Sequence, residues 1–239
     1  MKNHLIRRRY MTITGAIVLL MVVAPLVKGA PIHSLVGIFL LLCICITSLR
    51  SVTRSRAAFY TGVLVALAAF TTSMPRYLQL DWGQMTKPME VVGLLLFALF
   101  WGLVISIILR QMSRDAATSL DTIFGGVAVY FLLGLMWEFF YYIALILAPA
   151  SLTQGGQSLA LGPNTFDLLL YFSFMTMTTV GYGDVVPASD ATRILAILQA
   201  VTGQLYLVIL IGGLVGAHIG AVHRTQRPED QSPPGQKRQ

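Results

Sequence analysis

The run Thr176-Met177-Thr178-Thr179-Val180-Gly181-Tyr182-Gly183-Asp184 decides how the rest of this chain is read. An extended segment with its carbonyls turned to one side puts some residues at dihedrals that only glycine enters cheaply, and Gly181 and Gly183 flank Tyr182 in that manner. Gly-Tyr-Gly alone would mark no more than a loop, so the surroundings matter. Just before the run lies an apolar stretch, 165–178, too short to cross a bilayer. Gly162-Pro163-Asn164-Thr165 supplies a break and cap residues, and Asp167 follows where a negative charge suits a helix dipole. A short helix is therefore expected, with an apolar body from Phe166 to Met177 ending under the run.

Working outward, the composition is that of a membrane protein. Apolar residues make up 56% and charged residues 11%, against roughly 25% charged in soluble domains. Apolar segments suited to a hydrocarbon core about 30 Å thick recur along the chain. They predict spans near 11–27, 32–49, 57–73, 89–109, 119–148 and 193–220. The fold class expected is all-α, with six transmembrane helices and a re-entrant helix and loop between the fifth and sixth. Placing both termini in the cytoplasm puts thirteen of the seventeen Lys and Arg residues on the inner side, leaving Lys28, Arg76, Lys87 and Arg193 outside. That is the positive-inside pattern. The net charge of +7 is then a topological signal and no nucleic-acid patch, which would need basic residues clustered on one soluble face.

Arg7-Arg8-Arg9 before the first apolar segment invites a signal-peptide reading, but Lys28 stands where a small residue is wanted near a cleavage site after Ala30. Retention of that segment is expected. Cys43 and Cys45 fall inside the second span, where they read as reduced packing residues. The tail after about residue 222 is polar and Pro-containing, and reads as disordered.

Thr179-Val180-Gly181-Tyr182-Gly183-Asp184, with a short helix before it and long apolar segments on both sides, resembles the selectivity filter of the potassium channel superfamily. The six-span, one-pore-loop plan resembles its voltage-gated members. The resemblance is strong over roughly 118–222 and architectural elsewhere. It implies that backbone carbonyls, with the Thr179 hydroxyl, replace the hydration shell of K+. The ion-binding residues would be Thr179, Val180, Gly181, Tyr182 and Gly183, with K+ as permeant ligand and no cofactor. It implies a homotetramer in membrane lipid, since one filter strand cannot surround an ion. Asp184-Val185-Val186-Pro187 matches the outer-mouth turn, and Tyr171, Asp184 and Glu138 are the expected filter supports. For Glu138, a lipid-interface or neutral, hydrogen-bonded role stands beside bracing of the outer mouth.

The chain also departs from the family pattern. Tyr171 and Phe172 stand where many voltage-gated members have two tryptophans, and Met175 where some have a glutamate. The support that a carboxylate at 175 would build against Asp184 is therefore missing. Residues 89–109 of the fourth span hold no Lys or Arg; Arg110 and Arg114 lie beyond its cytoplasmic end. A sensor moves such charges through the field, so voltage gating is not expected.

On the sixth span, Gln204 is read as the polar residue of a cavity-facing stripe with Ala200, Leu207, Ile211 and Val215, roofed by Thr178. Gly203, twenty residues after Gly183, is read as hinge or packing glycine, the family resemblance favouring hinge. His218 and His223 are either an inner proton-sensitive gate or headgroup anchors. The expected domains are a cytoplasmic N-terminus 1–10, a sensor-like four-helix domain 11–110, a pore domain 111–222 and a tail 223–239.

Three function classes compete. A K+-selective channel of the plasma or bacterial inner membrane leads. A modulatory, non-conducting subunit is the alternative. An intramembrane hydrolase finds no Ser/Lys pair, aspartate pair or His-Glu motif to support it.

Overall fold

The computed structural model describes residues 9–26, 56–77, 83–113, 120–162 and 164–225. The expected second span with Cys43 and Cys45, the first eight residues and the tail from 226 lie outside the described residues. Helices α1 (Arg9–Leu26), α2 (Arg56–Tyr77), α3 (Thr86–Met112) and α4 (Leu120–Leu147) are followed by strands β1 (Leu152–Gln154) and β2 (Gln157–Ser158). Then come α5 (Thr165–Met177), β3 (Val185–Pro187), α6 (Asp190–Leu205), a π-helical segment Tyr206–Ile211 and α7 (Gly212–Thr225). Among the described residues, three helical stretches are long and apolar enough to cross a membrane: Gly83–Met112, Leu120–Leu147 and Asp190–Gly216. They match the fourth, fifth and sixth expected spans. The first and third fall on α1 and α2.

The centre of the molecule is α4. It packs against α1, α3, α5 and α6, burying Leu132, Tyr141 and Leu145 completely. Small residues let its neighbours come close, as they do in membrane helices generally. A β-carbon at Gly134 would fall within 2.5 Å of the Phe174 ring, and one at Gly126 within 2.7 Å of Ile211 Cδ1. Trp101 and Ile108 of α3 are fully buried in the same core.

The first turn of α1 docks on the start of α4. The backbone N–H groups of Tyr10 and Met11 donate to Asp121 Oδ1 at 3.1 and 3.2 Å. A carboxylate at the positive end of a helix dipole suits that position. The Tyr10 hydroxyl reaches Gln111 Oε1 at 3.2 Å, and Thr14 Oγ1 donates to Phe124 O at 2.9 Å. The N-terminus of α1, the C-terminus of α3 and the N-terminus of α4 thus share one end of the molecule.

The all-α expectation needs one correction. The loop after α4 folds into a hairpin, and its first strand pairs antiparallel with β3, giving a three-stranded sheet of order β2-β1-β3. The turn is built on Gly155 and Gly156, at φ +57° and +82°, which supply the left-handed dihedrals that a tight hairpin demands.

Candidate functional site

Helix α5 forms where the break and Asp167 predict it, though its cap differs from expectation. Asn164 makes no side-chain cap bond; instead Gly162 N–H donates to Thr165 Oγ1 at 2.7 Å. The helix is held between α4 and α6 by a buried polar network. Gln199 Nε2 donates to Ser173 O at 2.9 Å and to Ser173 Oγ at 2.7 Å, while Tyr141 donates to Gln199 Oε1 at 2.6 Å. Ser173 Oγ in turn donates to Gly134 O at 2.7 Å. Gln199 is fully buried, and it escapes a sequence reading that fixes on Gln204 as the polar residue of this helix. A glutamine in an apolar run is the only signal that marks it.

Past Met177 the chain stops being helical in a specific way. Thr179, Gly181 and Gly183 take φ values of +60°, +55° and +80°, with Val180 and Tyr182 outside the left-handed region. The two glycines serve as expected. Thr179 departs from expectation: a β-branched residue at positive φ is strained, and nothing in its side chain announces it. The N–H groups of Val180 and Gly181 both donate to Met175 O, at 3.0 and 3.2 Å. No peptide in the described chain is cis, and in a trans peptide C=O points opposite to N–H. The carbonyls of Thr179 and Val180 therefore both point away from α5.

Residues 178 to 184 are all exposed in the single chain, Tyr182 at 72%. Thr178 Oγ1 donates back to Phe174 O at 2.6 Å. The side chain of Tyr171 lies beside Asp184.

Other anticipated residues sit differently. Glu138 is completely buried, and neither carboxyl oxygen has a hydrogen-bond partner among the described residues. It packs in the core near Asp167 of α5 and makes no hydrogen bond to the outer mouth. Its burial places it away from a lipid interface, and no hydrogen bond within the described residues holds it. Gly203 is buried where α6 crosses the end of α5: a β-carbon there would lie 2.7 Å from Met177 Cγ and 2.9 Å from Met177 O. Close approach accounts for this glycine, while the departure from α geometry comes later, at Tyr206–Ile211. That π segment adds a residue to the turn and rotates the helix beyond it. Gln204 and Leu207 are exposed, but Ile211 turns against Gly126 of α4 and leaves the stripe expected of it. The side chains of His218 and His223 lie outside the described residues.

An apolar helical bundle of this kind defines an integral membrane protein, and the comparisons place it further. Residues 117–217 match the family described as ion channel. Over 182 residues the chain is 29% identical to the voltage-gated potassium channel Kch of Escherichia coli, covering 74% of this chain and 36% of that protein. It is 44% identical over 52 residues to two-pore potassium channel 4 of Arabidopsis thaliana, or 22% of this chain and 18% of that one. It is 74% identical over 27 residues to two pore potassium channel b of rice, or 11% and 8%. The chain thus spans about a third or less of the length of these curated relatives. No solved structure matches it. Over 117–217 the chain is similar to ion channels, and the relatives it matches are potassium channels.

Proposed function

We propose that four copies of this chain surround one axis and conduct K+ passively and selectively across a plasma or bacterial inner membrane. The observation that carries this reading is the pair of N–H groups at Val180 and Gly181 drawn back onto Met175 O. Their peptides then present carbonyl oxygens on the face away from α5, and a fourfold axis there would ring an ion with oxygens. Thr179, Val180, Gly181, Tyr182 and Gly183 supply the strand, Asp184 and Tyr171 its outer support. Met177 O and the last turn of α5 bring the negative end of a helix dipole to the same place.

In this reading residues 111–222 are the pore domain, with α5 re-entrant from the outer side, and 11–110 a sensor-like domain without gating charges. The full plan has six spans, with both termini cytoplasmic. Gln204 and Leu207 line the inner cavity beneath Thr178. The inner helix α6 through α7 supports the assembly too: only 11% of its apolar window is buried within one chain, leaving Ile194, Ile197 and Val201 open for other copies and for lipid.

Purified protein reconstituted in planar bilayers tests the reading. Reversal potentials in mixed salts are expected to show K+ and Rb+ permeating with Na+ excluded. Tyr182→Asp is expected to relax that selectivity. Equal K+ and Na+ permeability in the unaltered protein would refute it.

A further inference from the structure

Segment 151–155 leaves the end of α4 and runs antiparallel along the whole exit of the filter segment. At its tip Gly155 N–H donates to Asp184 O at 3.1 Å. Gln154, Thr153 and Leu152 then pair in order with Val185, Val186 and Pro187. At its base Ser151 O accepts from Ala188 N–H at 2.8 Å, Ser189 N–H at 3.3 Å and the Thr192 hydroxyl at 2.7 Å. Ala188 and Ser189 lead into the inner helix, which Ser189 and Thr192 cap with a reciprocal box. Beneath the ladder Leu152 and Val185 are buried. Behind it β2 stiffens β1, with Leu159 N–H donating to Leu152 O at 2.9 Å.

This zipper bears on a filter that needs restraint. Carbonyl oxygens aimed at one axis repel each other once the cations between them leave, and Thr179 at φ +60° already holds strain. The lower filter is tied to α5 through Met175 O. The upper filter runs into Asp184, and position 175, a methionine, offers that residue no carboxyl partner.

We infer that residues 151–155 form a backbone splint that keeps the upper filter, Gly181 to Asp184, in its conducting geometry when ions are sparse, with the Gly155 N–H on Asp184 O as the decisive contact. The inference rests on the reading of this chain as a K+ pore. Backbone amides do the work, so side chains at 153, 154 and 157 should tolerate exchange, whereas Gly155 should not. Its N–H must stay, and its φ of +57° suits few other residues.

Two variants test this in reconstituted channels while outer K+ is lowered stepwise. Gly155→Pro removes the N–H and forbids the native dihedral. Thr153→Cys/Val186→Cys, in a Cys43→Ala/Cys45→Ala background, places two thiols on paired strand positions, where oxidation locks the ladder and a reductant frees it. At low outer K+, Gly155→Pro is expected to lose current about fivefold faster than wild type, the factor for one lost hydrogen bond. Its K+/Na+ ratio should fall at the same time. The oxidised double cysteine should outlast its own reduced form by a comparable factor, with equal currents at high K+. Where Gly155→Pro fails to assemble, the oxidised-against-reduced comparison decides alone, because the fold is common to both. Identical decay and selectivity in the two redox forms would overturn the splint while leaving the pore reading intact. Absence of K+ current from wild type at high K+ would overturn both.

Discussion

Gly203 of the inner helix lies directly on the backbone of Met177, so closely that a β-carbon would stand 2.9 Å from the Met177 carbonyl oxygen. That oxygen also accepts the Tyr130 hydroxyl at 3.3 Å. Helices α4 and α6 and the end of α5 therefore meet at one peptide, next to the residues that leave helical geometry. Tyr206, at the start of the π segment, packs its ring 6.1 Å from that of Tyr130 and donates to Gly126 O at 2.7 Å.

Gly203→Ala is expected to destabilise the assembled protein. Alanine gains up to about 1 kcal/mol in helix propensity, but forcing a methyl against a backbone oxygen costs about 1–3 kcal/mol, and the oxygen cannot swing aside as a side chain would. Thermal unfolding in detergent should show a lower midpoint than wild type. A raised midpoint with gating arrested would instead favour the hinge role that the family resemblance suggested.

Gln199→Leu leaves the Tyr141 hydroxyl and the Ser173 carbonyl without the partners they have here. Each orphaned buried group costs about 1–3 kcal/mol. Tyr141→Phe removes one donor and should cost less, about 1 kcal/mol. Chemical denaturation of the two variants in the same detergent checks the order; equal losses would mean that the network does not bear on stability.

Glu138→Met should be neutral or stabilising. The glutamate buries two acceptor oxygens with no partner among the described residues, and replacing such a group by an apolar one of similar size removes a desolvation cost of about 1–3 kcal/mol. A thermal midpoint at or above that of wild type, with K+ conduction retained, is the expected result. Loss of conduction in Met but not in Gln would give the carboxyl position a role that its burial does not reveal.

If the chain conducts as proposed, voltage should change its open probability little. Each unit charge crossing the field is worth about 2.3 kcal/mol per 100 mV. In α3, Lys87 and Arg110 stand at opposite ends of the helix, and no basic residue lies between them. Open probability measured between about −100 and +100 mV is expected to stay nearly flat. Steep activation carrying several gating charges per tetramer would contradict this.

The left-handed glycines of 181 and 183, α5 and the described apolar helices were legible in the sequence because each rests on local chemistry. Glycines at 181 and 183 answer to the dihedrals of their own positions, and hydropathy is a property of composition. Thr179 escaped because its positive φ is imposed by Met175 O drawing in the N–H groups on either side of Val180, and no residue preference records that. The contacts that place the site are of another kind. Asp121 meets Tyr10 across 111 residues, Gln199 finds Ser173 and Tyr141, Gly203 finds Met177, and a loop without apolar periodicity becomes the strand beside β3. Each joins groups far apart in the chain. A glutamine, a glycine or a Leu-Thr-Gln triplet has many possible partners, and only the packing of α4 against its neighbours selects one.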